Sequence, residues 1–311
     1  MYVERNRWLE RVLDRLYECG SPTISTWSWI TEDRRRLVSA LPMTSGYPGL
    51  MDELTRAFEF ERRRFERLST RLERFAFGVA YLDEEYRQRY YSNFLLADKR
   101  LDDASASALI EAGERILGGA GYKHRLIILR DERRAERIAH AFRALGFSTS
   151  REVTMTHRRD PDRDANLLVE EVPFAVVRSL IQEMYREDPD LPEDIALLFA
   201  EQHGKYERVA GARFFAARVD GRLAGNCELY QRGDDAQVEH VGTLKQYRGR
   251  GVARSVILRA VQAARETGAR HVFIVTDEDD WPRHLYARLG FDQIGRTWEF
   301  LRSPGGGGGV V

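Results

Sequence analysis

The chain has 311 residues, a length that accommodates two domains, each able to bury its own core. Lysine plus arginine and aspartate plus glutamate both total 49, so the formal net charge is zero and no overall field calls for a nucleic-acid partner. Cys19 and Cys227 are too few and too far apart for a disulfide framework or a zinc site. Met1 is not followed by a basic leader with an apolar run, and no long uncharged apolar segment occurs, so the expectation is a cytoplasmic protein with no membrane partner.

Taken in chain order, residues 1–74 read as a helical segment. Trp8, Leu9, Val12, Leu13 and Leu16 share one helical face, with a break at Gly20-Ser21-Pro22. A second helix is expected from Leu50 to Phe75, where the mixed-sign run Glu61 to Arg67 reads as a solvated face with intrahelical ion pairs. The pattern then alternates: a strand at Phe94-Leu95-Leu96, a helix from Ala104 to Leu117, a strand at Leu126 to Leu129 and a helix from Ala135 to Leu145. Such alternation implies an α/β architecture. The series recurs downstream as Val238 to Leu244, Val252 to Thr267, Val272 to Val275 and His284 to Leu289, which reads as an internal duplication. Leu145-Gly146-Phe147 matches Leu289-Gly290-Phe291, and Asp131-Glu132 matches Asp277-Glu278 at a nearly equal offset. The proline-interrupted polar stretch Arg158 to Asp164 is the expected linker. The boundaries are thus 1–74, 75–162 and 163–304, and the glycine-rich tail 305–311 is expected to be disordered.

The most informative stretch runs from Val241 to Ala253 and joins a strand to an amphipathic helix whose apolar positions are Val252, Val256, Ile257, Ala260, Val261 and Ala264. Gly249 and Gly251 fall where the strand becomes a helix N-terminus. There, backbone N–H groups lack intrahelical partners and the macrodipole is positive, which suits a phosphate if the backbone can approach it. Arg248 and Arg250 add cations suited to phosphate oxygens. Arg254 stands where a dinucleotide fingerprint needs its third glycine, and no Gly-Lys-Ser/Thr follows, so dinucleotide and nucleoside-triphosphate sites are disfavoured.

This turn resembles the Q/R-x-x-G-x-G/A signature of the GNAT superfamily of N-acetyltransferases, read either as Arg248-x-x-Gly251-x-Ala253 or as Gln246-x-x-Gly249-x-Gly251. The order of elements from residue 166 to 304 matches as well. The resemblance implies two tandem GNAT-like mixed-sheet α/β domains preceded by a helical segment, with acetyl-CoA as acyl donor and no metal. It implies that Lys245, Gln246, Arg248, Gly249, Arg250, Gly251, Val252 and Ala253 hold the pyrophosphate. It also implies that the backbone of Thr243 and Leu244 holds the pantetheine arm, and that Asp279 stands where the family often has asparagine. Pro282 suits the first turn of the helix that follows.

Making an amide from a thioester requires an amine to lose a proton and a thiolate to gain one. Tyr286 matches the family's tyrosine in Tyr-x-x-x-Gly-Phe and is the expected acid, though an isolated tyrosine at such a position would read as core packing. Strand alternation puts Glu239 and Val241 on one face with Thr243, and His240 with Gly242 on the other. Glu239 is the expected base, its alternative role being a structural ion pair, and His240 and Glu228 are runners-up. Tyr185, Glu187, Asp188 and Glu201 offer aromatic and anionic surface to a cationic acceptor. In the N-terminal series Phe142 aligns with Tyr286, and Asp98 to Ala104, with three carboxylates and no glycine, aligns with the phosphate turn. That half reads as a degenerate copy supporting the other, an arrangement similar to tandem-GNAT proteins of actinobacteria such as mycothiol synthase. The reading is an acetyltransferase acting on a primary amine of a small molecule or peptide. A non-catalytic acyl-CoA sensor, and then a nucleic-acid-associated factor, rank behind it, and oligomeric state stays open.

Overall fold

The structure, a computed structural model, describes residues 48–304. The helix expected around Trp8 to Leu16, the break behind it, Cys19 and the glycine tail lie outside the described residues. Helix α1 (Pro48–Leu68) leads into strands β1 (Arg71–Phe75), β2 (Gly78–Leu82) and β3 (Phe94–Ala97), helix α2 (Ala106–Gly113), strand β4 (Arg125–Leu129), helix α3 (Glu132–Ala144) and strand β5 (Ser148–His157). The second half comprises β6 (Val169–Val172), α4 (Phe174–Arg186), α5 (Glu193–Lys205), β7 (Arg213–Val219), β8 (Arg222–Arg232) and β9 (Asp235–Thr243). It ends with α6 (Val252–Glu266), β10 (His271–Asp277), α7 (Pro282–Arg288) and β11 (Phe291–Arg302).

All the strands form one mixed 11-stranded sheet in the order β1-β2-β3-β4-β11-β5-β10-β9-β8-β7-β6. The expected α/β class is thus present, and the strand–helix–strand–helix series recurs: β3 runs parallel to β4 in the first half, as β9 does to β10 in the second. Each half sends its last strand to the other. β5 lies against β10, β11 lies against β4, and β5 and β11 pair antiparallel at the centre. The sequence boundary near Arg163 therefore marks a change in the chain but not a gap in space. A core dominated by Phe214, Phe215, Phe273 and Phe291 fills the second half, and a separate one with Phe142, Phe147 and Phe300 fills the first.

Two expectations about the N-terminal segment are corrected. The helix stops at Leu68 rather than Phe75, because Ser69 and Thr70 turn the chain: Ser69 N–H bonds Phe65 carbonyl and Thr70 N–H bonds Leu82 carbonyl. Residues 71–75 then pair with β2, whose buried face gives them a partner that an extended helix would lack. Nor is the run from Glu61 to Arg67 a solvated face. Arg62 and Arg63 do bond Glu59 within the helix, but Glu61 pairs with Arg130 at 2.6 Å and Arg64 with Glu239 at 3.2 Å, both across the fold. Helix α1 lies on the sheet with Ala57 and Phe60 in the main core, so charges flanking that apolar stripe meet partners on the strands below.

Candidate active site

β9 and β10 are paired only from Asp235–His271 to Val238–Ile274, after which the parallel strands separate. A register shift against β8 between Asn226 and Glu228 coincides with this point, and His240 there takes a left-handed backbone, φ 48°. One extra residue on β9 bends the strand away and breaks the alternation expected from sequence. Glu239 and His240, expected on opposite faces, both line the cavity that opens in the fork. The cavity measures about 320 Å³ and is also lined by Val241, Gly242, Thr243, Val275, Thr276 and Tyr286. The corresponding fork between β3 and β4 is shut, since pairing continues to Ala97–Leu129 and Arg130 N–H bonds Ala97 carbonyl beyond it. Phe142, aligned with Tyr286, stacks on Phe300 at 4.0 Å in that closed core.

At the wide end of the fork, residues 245–251 wind into α6. Gly249 and Gly251 have φ of 76° and 83°, a region that glycine enters without strain, and no side chain caps the helix. A Cβ at Gly249 would meet nothing within 4 Å, whereas one at Gly251 would run into Asn166 Oδ1. The open first turn of α6 and the room at Gly249 fit a phosphate group. Thr243, whose buried hydroxyl oxygen has no hydrogen-bond partner, fits an amide-bearing arm in the fork.

Not every expected cofactor residue faces the cavity. Thr243, Lys245 and Arg248 line it; Leu244, Gln246, Gly249, Arg250, Gly251, Val252, Ala253 and Asp279 do not. Leu244 is buried, its N–H bonded to Ala224 and its carbonyl to Tyr247, and the Lys245 N–H is taken by Glu187 at 2.7 Å. Arg250 pairs with Asp220 at 3.0 Å, and Asp279 is 74% exposed beside Arg151 while Asp280 lines the cavity in its place. Among the acceptor-side residues named from sequence, Tyr185, Glu187 and Asp188 line the cavity; Glu201 instead pairs with Arg178 on the surface.

Tyr286, on α7, is 5% exposed and faces the fork from the β10 side. Burial, reinforced by the Glu239 charge, pushes its phenol well above the usual range, so it keeps its proton. Glu239 receives hydrogen bonds from Arg64 and from Gln237, and burial pushes its carboxyl up despite the Arg64 charge. Beside it the Glu228 carboxylate, fully buried on β8, is shared: one oxygen accepts from His203 Nδ1 and the other lies 2.9 Å from His240 Nδ1. Tyr230 hydroxyl also donates to Glu228. The donor atoms of His203, Glu228 and His240 lie within 4.8 Å of one another, a convergence their hydrogen bonds account for.

The network extends outward. Tyr185 hydroxyl sits 3.1 Å from His203 Nε2, and Arg89, from the segment between β2 and β3, donates to the same hydroxyl at 2.7 Å. Burial works against the His203 charge, but Tyr185 and Glu228 outweigh it and hold the imidazole up at about 9. Burial likewise opposes the charge of Glu228, and His240 and His203 hold it far below the usual carboxylate range. Sequence reasoning missed Arg64, Arg89, His203 and Tyr206 as parts of this site. Arg89 gave no local signal, whereas His203 and Tyr206 lay within the helical region, Ile181 to Tyr206, assigned to the acceptor. Arg89, Tyr91, Ser92 and Phe94 line the cavity from the first half, so both halves build its wall.

The splayed parallel pair, the glycine turn into α6 and the tyrosine helix define an α/β site in which the candidate acid Tyr286 and the candidate bases line one cleft. Residues 175–291 match the acetyltransferase (GNAT) family, and this part of the chain is a domain of that family. A Bacillus subtilis (strain 168) protein, provisionally named alanine N-acetyltransferase of ribosomal protein bS18, is 28% identical over 85 residues. That match covers 27% of this chain, which spans about half, 56%, of the curated relative. Among solved structures, a functionally unknown conserved protein from Staphylococcus epidermidis ATCC 12228 superposes with a TM-score of 0.62 at 14% identity, covering 76% of this chain and 94% of that one. A GCN5-related N-acetyltransferase from Kribbella flavida gives 0.56 at 19% identity, covering 80% and 95%. These likenesses are of fold. No helix among the described residues is long and apolar enough to cross a membrane.

Proposed function

We propose that the chain transfers an acetyl group from acetyl-CoA to a primary amine by direct attack within a ternary complex. The observation that carries this reading is the fork between β9 and β10, which presents Tyr286 and the Glu239–His240 bulge to one cavity and lies ahead of an uncapped helix N-terminus. Coenzyme A would lie with its phosphates at the turn from Lys245 to Ala253 and its arm beside Thr243. Tyr286, kept protonated by burial, is suited to give a proton to the departing thiolate, and a base on the bulge to take one from the amine. Glu239 is the base expected from sequence, and His240 lies beside it on the same bulge.

The acceptor approaches from the side walled by α4, α5 and Arg89 to Phe94, with Tyr185, Glu187 and Asp188 as candidate contacts. A small amine or a peptide N-terminus both suit an opening of this kind, and the Bacillus subtilis relative is named for an alanine of ribosomal protein bS18. The test is release of coenzyme A from acetyl-CoA with a panel comprising spermidine, an alanyl peptide and glucosamine. Turnover of at least one amine above the hydrolytic background is expected. Tight acetyl-CoA binding with no turnover across an extended panel would favour an acyl-CoA sensor.

A further inference from the structure

We propose, resting on the acetyltransferase reading, that the base is His240 rather than Glu239, and that the first half completes it through a hydrogen-bonded chain from Arg89 by way of Tyr185, His203 and Glu228. The two candidates are adjacent in sequence but differ in what holds them. Glu239 accepts from both Arg64 and Gln237 on its Oε1, which ties the carboxylate into a structural ion pair. His240 uses only Nδ1, against Glu228. With Nδ1–H donating to a carboxylate, Nε2 is the deprotonated, basic nitrogen of the ring. Tyr206 stacks on the ring at 5.3 Å with an interplanar angle of 16°, fixing its plane, and His203 abuts it edge-on at 4.9 Å. The left-handed backbone at His240 costs about 1–2 kcal/mol in a residue with a side chain. That strain turns the ring toward the cavity while leaving Nδ1 on Glu228.

A carboxylate with no solvent exposure needs its charge met inside the protein. Glu228 has two imidazoles and a phenol on it, and the farther imidazole is steadied by a phenol that Arg89 holds. When His240 takes a proton from the entering ammonium, the imidazolium forms against a carboxylate already in place. The amine then attacks the thioester carbon, the C–S bond breaks as the C–N bond forms, and Tyr286 gives its proton to the thiolate. The second proton, lost from nitrogen as the amide forms, replaces the one Tyr286 gave. Arg89 touches none of the reacting atoms: it is a positioning residue that holds Tyr185, and through it His203, against Glu228.

The charged and titratable groups facing His240 are Glu228 and Tyr230 from β8, His203 and Tyr206 from α5 and its continuation, and Glu239 beside it with Arg64 from α1. Tyr185 and Arg89 stand one step behind His203. The experiment is ¹⁵N-histidine NMR of the full chain, which reads the ring tautomer without any acceptor, alongside kcat/KM against pH for each panel amine that releases coenzyme A. The expected result is a His240 ring that carries its proton on Nδ1, a preference lost in Glu228→Gln, weakened in Arg89→Gln and in His203→Gln, and restored in Arg89→Lys. The acid limb of the rate profile should move in the same variants, and His240→Gln should lose at least about 100-fold in kcat while Glu239→Gln loses less than about tenfold. An Nε2–H tautomer, a tautomer and rate profile unmoved by both Arg89→Gln and His203→Gln, the reverse order of the His240 and Glu239 losses, or one transition-metal ion per purified chain would each overturn the proposal. Absence of turnover with intact NMR behaviour would instead count against the acetyltransferase reading alone.

Discussion

Arg89 Nη1 donates to the Tyr185 hydroxyl at 2.7 Å, a bond that ties a loop of the first half to a helix of the second inside the candidate site. The guanidinium also lies 4.9 Å from the Phe199 ring centroid, so a half-buried cation aligns the α4–α5 wall. With β5 and β11 traded between the halves, this bond explains why a half without its own fork or acid is still part of the site. The first half walls the cavity rather than repeating it.

Tyr286→Phe removes one oxygen and retains the ring packed near Phe291. Turnover should fall by about 10² to 10⁴ with acetyl-CoA affinity and melting temperature little changed. Steady-state kinetics with calorimetry of acetyl-CoA binding separates the effects: turnover within twofold of wild type would remove Tyr286 from the chemistry, and a matched loss of melting temperature would assign its hydroxyl to the fold.

Gly249→Glu probes the phosphate turn more cleanly than any change at Gly251, where a Cβ would collide with Asn166 and disturb the loop before β6. The left-handed backbone at Gly249, φ 76°, makes a side chain there cost about 1–2 kcal/mol, but nothing stands in its way. The protein should fold, and acetyl-CoA affinity should fall at least about tenfold because a carboxylate would face the phosphates. Wild-type affinity in a titration would move the cofactor elsewhere.

Much of this was legible in the sequence, for identifiable reasons. Helical spacing from Val252 to Ala264 fixed α6 within a residue or so, and the glycines before it marked a turn that only positive φ explains. The aligned pair Phe142 and Tyr286 marked the first half as lacking a hydroxyl at this position, and the structure puts Phe142 in a closed core and Tyr286 on the cavity wall. What could not be read were relations that depend on the sheet. The Arg64 charge looked solvated because its partner Glu239 is 175 residues away, and Arg89 has no local pattern that announces its place beside Tyr185. Alternation along β9 failed at His240 because a bulge is set by pairing with β8, which one strand's sequence does not contain. The traded strands β5 and β11 were invisible for the same reason.

Lys205 and Asp83 join the two halves in a nearly buried pair, with Nζ 2.9 Å from both carboxylate oxygens. Lys205→Met should destabilise by about 3–5 kcal/mol, since it strands the Asp83 charge. Asp83→Asn in that background should recover part of the loss, since it removes the stranded charge while its Oδ1 can still accept from Glu85 N–H at the start of the turn. Chemical denaturation of the two single variants and the double variant gives the coupling. Strict additivity would mean the pair contributes nothing beyond its separate groups.

Stability should also carry the mark of the buried histidine. The His203 pKa is raised from 6.5 to about 9, so the folded state holds a proton that the unfolded chain releases between those values. Its contribution is therefore complete below pH 6.5 and is lost as pH rises through 9. Glu228, depressed by the same interaction, acts at the other end: its contribution is present above the unfolded value of 4.5 and is lost as pH falls through its folded one. Because both shifts describe one interaction they are not added, and the alkaline loss is bounded at about 3 kcal/mol. Urea unfolding of the wild type should give a lower free energy at pH 9.5 than at pH 6.5, and His203→Gln, starting less stable, should show a smaller decline over the same interval. Parallel declines in the two proteins would mean that His203 enters the folded state neutral. The Glu228 charge would then be met by His240 and Tyr230 alone, and the link from Arg89 to the site would end at Tyr185.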